Sequence, residues 1–183
     1  MKDQARGGHA YLDESTQGDY LVIASVIAPG DVREARAALR GLLLPRQRSL
    51  HMKDEKKTAR QDLIVATVCN LELTTTIYVA KPSEHKGHTG ARDACIQRAS
   101  SDSATQGVQR LVLDRNDSYM KRDEASILKG ATRAGVNPVP FNFGHMSRHE
   151  EPMLWVPDVL GWCYARGGTW RHRVHDHVRI IAL

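Results

Sequence analysis

From Tyr20 to Ile27 the chain reads YLVIASVI, a nearly unbroken apolar run in which Ser25 is the polar exception. A strand covered on both faces has this pattern. His9-Ala10-Tyr11-Leu12 precedes it, and the polar stretch between holds Asp13-Glu14-Ser15 and Gly18-Asp19, so the two runs predict a β-hairpin. Pro29-Gly30-Asp31 then supplies a turn and an N-cap. Val32, Ala35, Leu39, Leu42 and Leu43 fall on one face of a helix predicted over 31–44, which Pro45 ends.

Ser49-Leu50-His51-Met52 predicts a short edge strand. Residues 54–71 predict a helix whose charged start gives way to Leu63, Ile64, Ala66, Thr67 and Val68. The β-branched run LELTTTIYVA at 71–80 predicts the next strand. A polar loop over 81–90, a helix over 91–106, a strand over 110–114 and a helix over 122–134, stopped by Gly135, follow. Val139 to Gly144 predicts an edge strand, because Pro140 cannot serve a central ladder. Pro152 opens a helix carrying Leu154, Trp155, Val159, Leu160 and Trp162 to Ala165, and a further short helix is predicted within 170–182. This alternation predicts an α/β fold, a mixed sheet covered by helices.

The length of 183 residues and the 41% hydrophobic content predict one domain over 1–183, large enough to need no disulfide. They exclude a disordered tail. No run of about 18 apolar residues points to a membrane span. The polar opening Met1 to Gly8 lacks the apolar core of a signal peptide, so the expected location is cytoplasmic. Cys69, Cys95 and Cys163 form no CxxC pair and are expected to be reduced apolar residues. The net charge of +5 is modest, yet 18 of the 26 basic residues are Arg, the better bidentate phosphate ligand. Nucleic acid is therefore a candidate partner on weak grounds.

Three acids change the picture. Asp13 and Asp114 lie at the ends of predicted strands, where α/β sheets open onto ligand crevices. Asp158 sits among Leu154, Trp155, Val159 and Trp162, and a carboxylate near an apolar helix face demands a partner or a metal. Converging carboxylates suit Mg²⁺ or Mn²⁺, and two such ions about 3.5–4 Å apart activate water and stabilise the leaving oxygen of a phosphodiester. Each acid has an ordinary reading as well. Asp114 with Arg115-Asn116-Asp117-Ser118 reads equally as a turn, and Asp158 can face solvent or pair with Arg115 or Arg148.

Tyr11-Leu12-Asp13-Glu14-Ser15 with the apolar strand after it, Leu50-His51-Met52-Lys53, Leu111-Val112-Leu113-Asp114 and the stretch from Ser147 to Gly161 together resemble the DUF3800 family. The resemblance runs from Tyr11 to Ala165 and implies a ribonuclease H-like fold with a metal-dependent nuclease activity. It implies Asp13, Asp114 and Asp158 as ligands of Mg²⁺ or Mn²⁺. Thr16, Trp155 and Pro157 depart from the family pattern, and Pro157 removes a helix donor beside Asp158, which predicts a kink.

Glu14 is a further candidate metal ligand if the strand has ended there, and a hairpin anchor on the opposite face if it has not. His51 and Lys53 share one face of the predicted strand, His51 as a proton shuttle and Lys53 as a phosphate or charge-compensating group, with Arg115 in a similar role. Glu151 would share a helix face with Asp158, although an acid at a helix N-terminus is the ordinary reading. His172, His175 and His177 lie in a basic segment whose readings are a solvated face, a phosphate contact or zinc; the spacing lacks an HExxH arrangement. The expected function is a phosphodiesterase acting on nucleic acid. The alternative is a non-catalytic nucleic-acid- or protein-binding module on the same fold, and exposed Trp162 or Trp170 would suit a homodimer.

Overall fold

The computed structural model describes residues 7–183; the polar opening Met1 to Arg6 lies outside them. The described residues form a six-stranded mixed sheet in the order β5-β4-β1-β2-β3-β6. β1 (His9–Ser15) and β2 (Tyr20–Ile27) make the expected antiparallel hairpin, and β3 (Leu73–Ala80) extends it antiparallel to β2. On the other side, β4 (Arg110–Asp114) runs parallel to β1, and β5 (Asn142–Met146) runs parallel to β4. Every residue of β2 is buried, as its unbroken apolar run requires.

Alternate strand residues feed two cores. Tyr11, Ile23 and Val112 face the layer built from α1 (Val32–Gly41), α2 (Thr58–Cys69) and α5 (Trp155–Arg166). Leu12, Val22 and Leu113 face the layer of α3 (His88–Thr105) and α4 (Met120–Arg133). The helices pack closely where glycine permits. A Cβ on Gly130 of α4 would stand 2.2 Å from the Gln97 carbonyl of α3, and one on Gly161 of α5 would stand 2.6 Å from Ile23 Cδ1.

Three sequence expectations are corrected. Residues 49–52 are not a strand: Leu50 and Met52 are buried on either side of His51, and Met52–Asp54 makes one 3₁₀ turn. With no partner edge to pair against, His51 and Lys53 do not share a strand face. The helix predicted within 170–182 is α6 (Gly168–Val174), a 3₁₀ turn at His175–His177, and then β6 (Val178–Ala182), parallel to β3 at the sheet edge. Ile180 and Ile181 satisfy strand propensity once the open edge of β3 offers hydrogen bonds. Pro157 does not kink its helix. It lies in the first turn of α5, where backbone N–H groups have no intrahelical acceptor, so the missing donor costs nothing. α5 itself starts at Trp155, after a 3₁₀ turn at Pro152–Leu154.

Candidate acidic site at the end of the central strands

One rung beyond the Leu12–Leu113 pair, both central parallel strands carry an aspartate. Strand alternation turns Asp13 and Asp114 toward the α5 layer. There α5, drawn onto the sheet at Gly161, brings Asp158 from its first turn. The three carboxylates converge on one guanidinium. Arg148 Nη2 stands 2.7 Å from Asp114 Oδ2 and 4.0 Å from Asp13 Oδ2, and Nη1 stands 3.9 Å from Asp158 Oδ1. A cavity of about 710 Å³ opens over this cluster.

Asp158 also organises the segment before α2. Its Oδ1 lies 2.7 Å from His51 Nδ1, and its Oδ2 accepts the Met52 backbone N–H at 2.8 Å. Arg148 Nη1 stands 2.5 Å from the same nitrogen, whose single site serves either the acid as a donor or the arginine as an acceptor. Trp155 is fully buried and donates its indole N–H to the Arg148 carbonyl at 2.7 Å. That bond fixes the backbone that carries the central cation.

The charges are unevenly balanced. Burial pushes the Asp13 carboxyl well above its ordinary value, and the nearby Asp158 and Asp114 charges push it further, against Arg148 and His51. The hydrogen bond to Asp158 raises His51, so its protonated form is favoured. Burial works against the Arg148 charge, but the Asp114 hydrogen bond and the surrounding acids outweigh it. The burial that favours neutral Asp13 and the bond that favours charged His51 both blunt the negative charge of the three acids beside Arg148, and every acidic donor is a carboxylate oxygen, the chemistry hard divalent ions take. Among the described residues no three His, Cys, Asp or Glu side chains close into a ligand set, and the Arg148 guanidinium stands among the three acids.

The remaining candidates divide. Lys53 and Arg115 are exposed on the cavity rim, Arg115 paired with Asp117 at 2.7 Å. Glu14 is still within β1, so it points to the other face, where it pairs with Arg92, accepts the Tyr20 hydroxyl and lies 3.4 Å from Asn116 Nδ2. It lines the same cavity as the three aspartates, with its carboxylate engaged by Arg92 and Tyr20. Glu151 is also spent elsewhere: it pairs with Arg36 and accepts the Met153 N–H at 3.1 Å. His172, His175 and His177 are exposed, with His175 next to Asp176. Trp162 and Trp170, both half-buried, pack edge to face at 5.2 Å.

Sequence reasoning missed Arg92. It is 3% exposed, makes paired bonds of 2.8 and 2.9 Å to Asp123, and stacks 4.7 Å from the Tyr119 ring. His145 reaches the same carboxylate at 3.0 Å. A charged residue among Ala91, Cys95, Ile96 and Ala99 was the signal available.

No family model matches the chain, and no curated protein matches it by sequence. By structure it is similar to a chain of the PCNA:RNase HII complex from Archaeoglobus fulgidus, with a TM-score of 0.59 and 11% identity over 87% of this chain and 73% of that one. The fold is thus ribonuclease H-like, with the expected antiparallel opening hairpin and flanking helices. Among the described residues no helix is long and apolar enough to cross a membrane.

Proposed function

We propose that this protein is a metal-dependent phosphodiesterase that hydrolyses nucleic acid, with Asp13, Asp114 and Asp158 holding Mg²⁺ or Mn²⁺. The observation that carries this reading is the convergence of three carboxylates on one guanidinium, within 4.0 Å, at the C-terminal ends of the central strands of a ribonuclease H-like fold. The same residues carry the resemblance to the DUF3800 family, and we assign the chain to that family on those grounds. A bound divalent ion would supply an activated water and neutralise charge on the phosphate.

The chain's own groups do the rest. Lys53 and Arg115 on the rim hold the scissile phosphate. His51, with Nδ1 held by Asp158, keeps Nε2 as the atom that exchanges a proton with substrate or solvent. Arg148 compensates the three acids. Glu14 stays outside the ligand set, because Arg92 and Tyr20 occupy its carboxylate.

A cleavage panel of single-stranded, duplex and hybrid substrates with Mg²⁺ or Mn²⁺ tests this reading. Cleavage is expected with either ion, and Asp114→Asn is expected to lower it by at least about a hundredfold with folding intact. Binding of nucleic acid without cleavage of any substrate would overturn it in favour of the non-catalytic module.

A further inference from the structure

Asp158, Trp162 and Arg166 follow one another at intervals of four along α5, so they share a helix face. Trp162 lines the acidic cavity, and beyond it the surface changes character. The Arg166 guanidinium lies 5.5 Å over the Trp162 ring, Trp162 meets Trp170 at 5.2 Å, and Arg173 lies 4.5 Å over Trp170. Arg171 lies 4.3 Å over Tyr164, its Nε donating to the Tyr164 carbonyl at 2.8 Å. All three arginines are exposed, and the rings behind them are half-buried. Residues 159–183 hold four Arg and one Asp, a net +3 of the protein's +5.

We propose that this ladder of arginines backed by aromatic rings is the docking strip for the single-stranded part of a nucleic acid whose scissile phosphate lies in the acidic cavity. The proposal rests on the phosphodiesterase reading above. Stacking holds each guanidinium flat, so it offers a planar surface to an unpaired base and N–H groups to a phosphate at once. Paired bases have no free faces to offer such a strip, so a duplex gains the charge attraction alone. Continuity through Trp162 sets the direction: a strand leaving the cavity at Asp158 runs onto the arginines, whose positive charge complements its backbone. Arg173 also pairs with Asp62, which fixes the far end of the ladder.

Fluorescence anisotropy with a labelled oligo-dT of about 20 nucleotides, in EDTA so that no cleavage intervenes, tests the strip. Wild-type protein is expected to bind the single strand more tightly than a duplex of equal length. Quenching is expected from Trp162 and Trp170, whereas Trp155 is fully buried and contributes little. The triple variant Arg166→Gln, Arg171→Gln, Arg173→Gln is expected to lose at least about tenfold in affinity and to flatten the salt dependence by about 0.7 per lost phosphate contact. Arg166→Gln alone, remote from the Asp62 ion pair, provides a comparator of unperturbed fold and is expected to lose about threefold. Affinity of the triple variant within about twofold of wild type, or equal binding of duplex and single strand, would overturn the proposal. Wild-type protein that binds the single strand in EDTA yet cleaves no substrate with Mg²⁺ or Mn²⁺ would overturn the phosphodiesterase reading and leave the docking strip standing.

Discussion

The Asp13 carboxyl is buried beside two other acids, and its neutral form is favoured in the folded protein. Below its ordinary value of 3.8 it is protonated whether the chain is folded or not, and it costs nothing. Above that value the unfolded chain ionises while the folded carboxyl resists, so rising pH increasingly favours unfolding until the raised folded value is passed. Asp13→Asn is therefore expected to match wild type near about pH 4 and to melt a few degrees higher near about pH 8, the size of an effect of about 1–2 kcal/mol. Melting curves at both pH values check this, and Mn²⁺ should close the gap by stabilising wild type alone. A lower melting temperature at neutral pH would show instead that the folded protein depends on that charge. Arg148 carries the opposite expectation. Arg148→Leu leaves three acids uncompensated, so without metal it should lose about 1–3 kcal/mol, a figure reduced by the partial exposure of the guanidinium. Calorimetric titration should then show tighter Mn²⁺ uptake than in wild type; weaker uptake would mean that the arginine helps to shape the ligand set.

Two glycines separate the stability of the elements from the assembly of the site. Gly130 packs α4 against the backbone of α3, and the Gln97 carbonyl cannot retreat, so Gly130→Ala is expected to cost about 2–3 kcal/mol while leaving Mn²⁺ uptake by the folded protein unchanged. Gly161 lets α5 approach Ile23, and Gly161→Val is expected to lower both melting temperature and Mn²⁺ affinity, because it lifts the helix that carries Asp158. Thermal melts paired with metal titration distinguish the two; unchanged metal affinity in Gly161→Val would show that Asp158 is placed by His51 and Met52 instead. The same packing explains what the sequence discloses. The hairpin, β3 and β4 are legible because burial leaves nearly continuous apolar or β-branched runs. β6 is not, because its strand character depends on the open edge of β3, a partner about a hundred residues away. Leu50-His51-Met52 alternates as a strand does, yet its two buried residues are anchors for a turn.

Across the whole molecule, the three aspartates were legible from their places at strand ends and in an apolar helix, but Arg148 was legible only as one of two partners for Asp158. Its position among all three acids depends on the Trp155 indole and on the fold of residues 147–151, neither of which leaves a periodic trace. The network on the opposite face is equally non-local: Glu14, Tyr20, Arg92, Asp123 and His145 join three strands and two helices. Burial opposes the Asp123 charge, but hydrogen bonds from His145 and Arg92 outweigh it and hold the carboxyl below its ordinary 3.8. That stabilisation is present above the unfolded value and is lost as pH falls through the folded one. Asp123→Asn is thus expected to melt several degrees lower near about pH 7, with the difference shrinking below about pH 4. A constant difference across that range, read from melting curves, would assign the loss to geometry rather than charge. The sheet order has one more consequence, in time rather than space. β1 precedes its β4 neighbour by the whole stretch from Thr16 to Gln109, since β4 begins at Arg110. Until β4 is synthesised, the central strand of the sheet has one unpaired edge, so the nascent hairpin is an open template for wrong pairing over that whole interval.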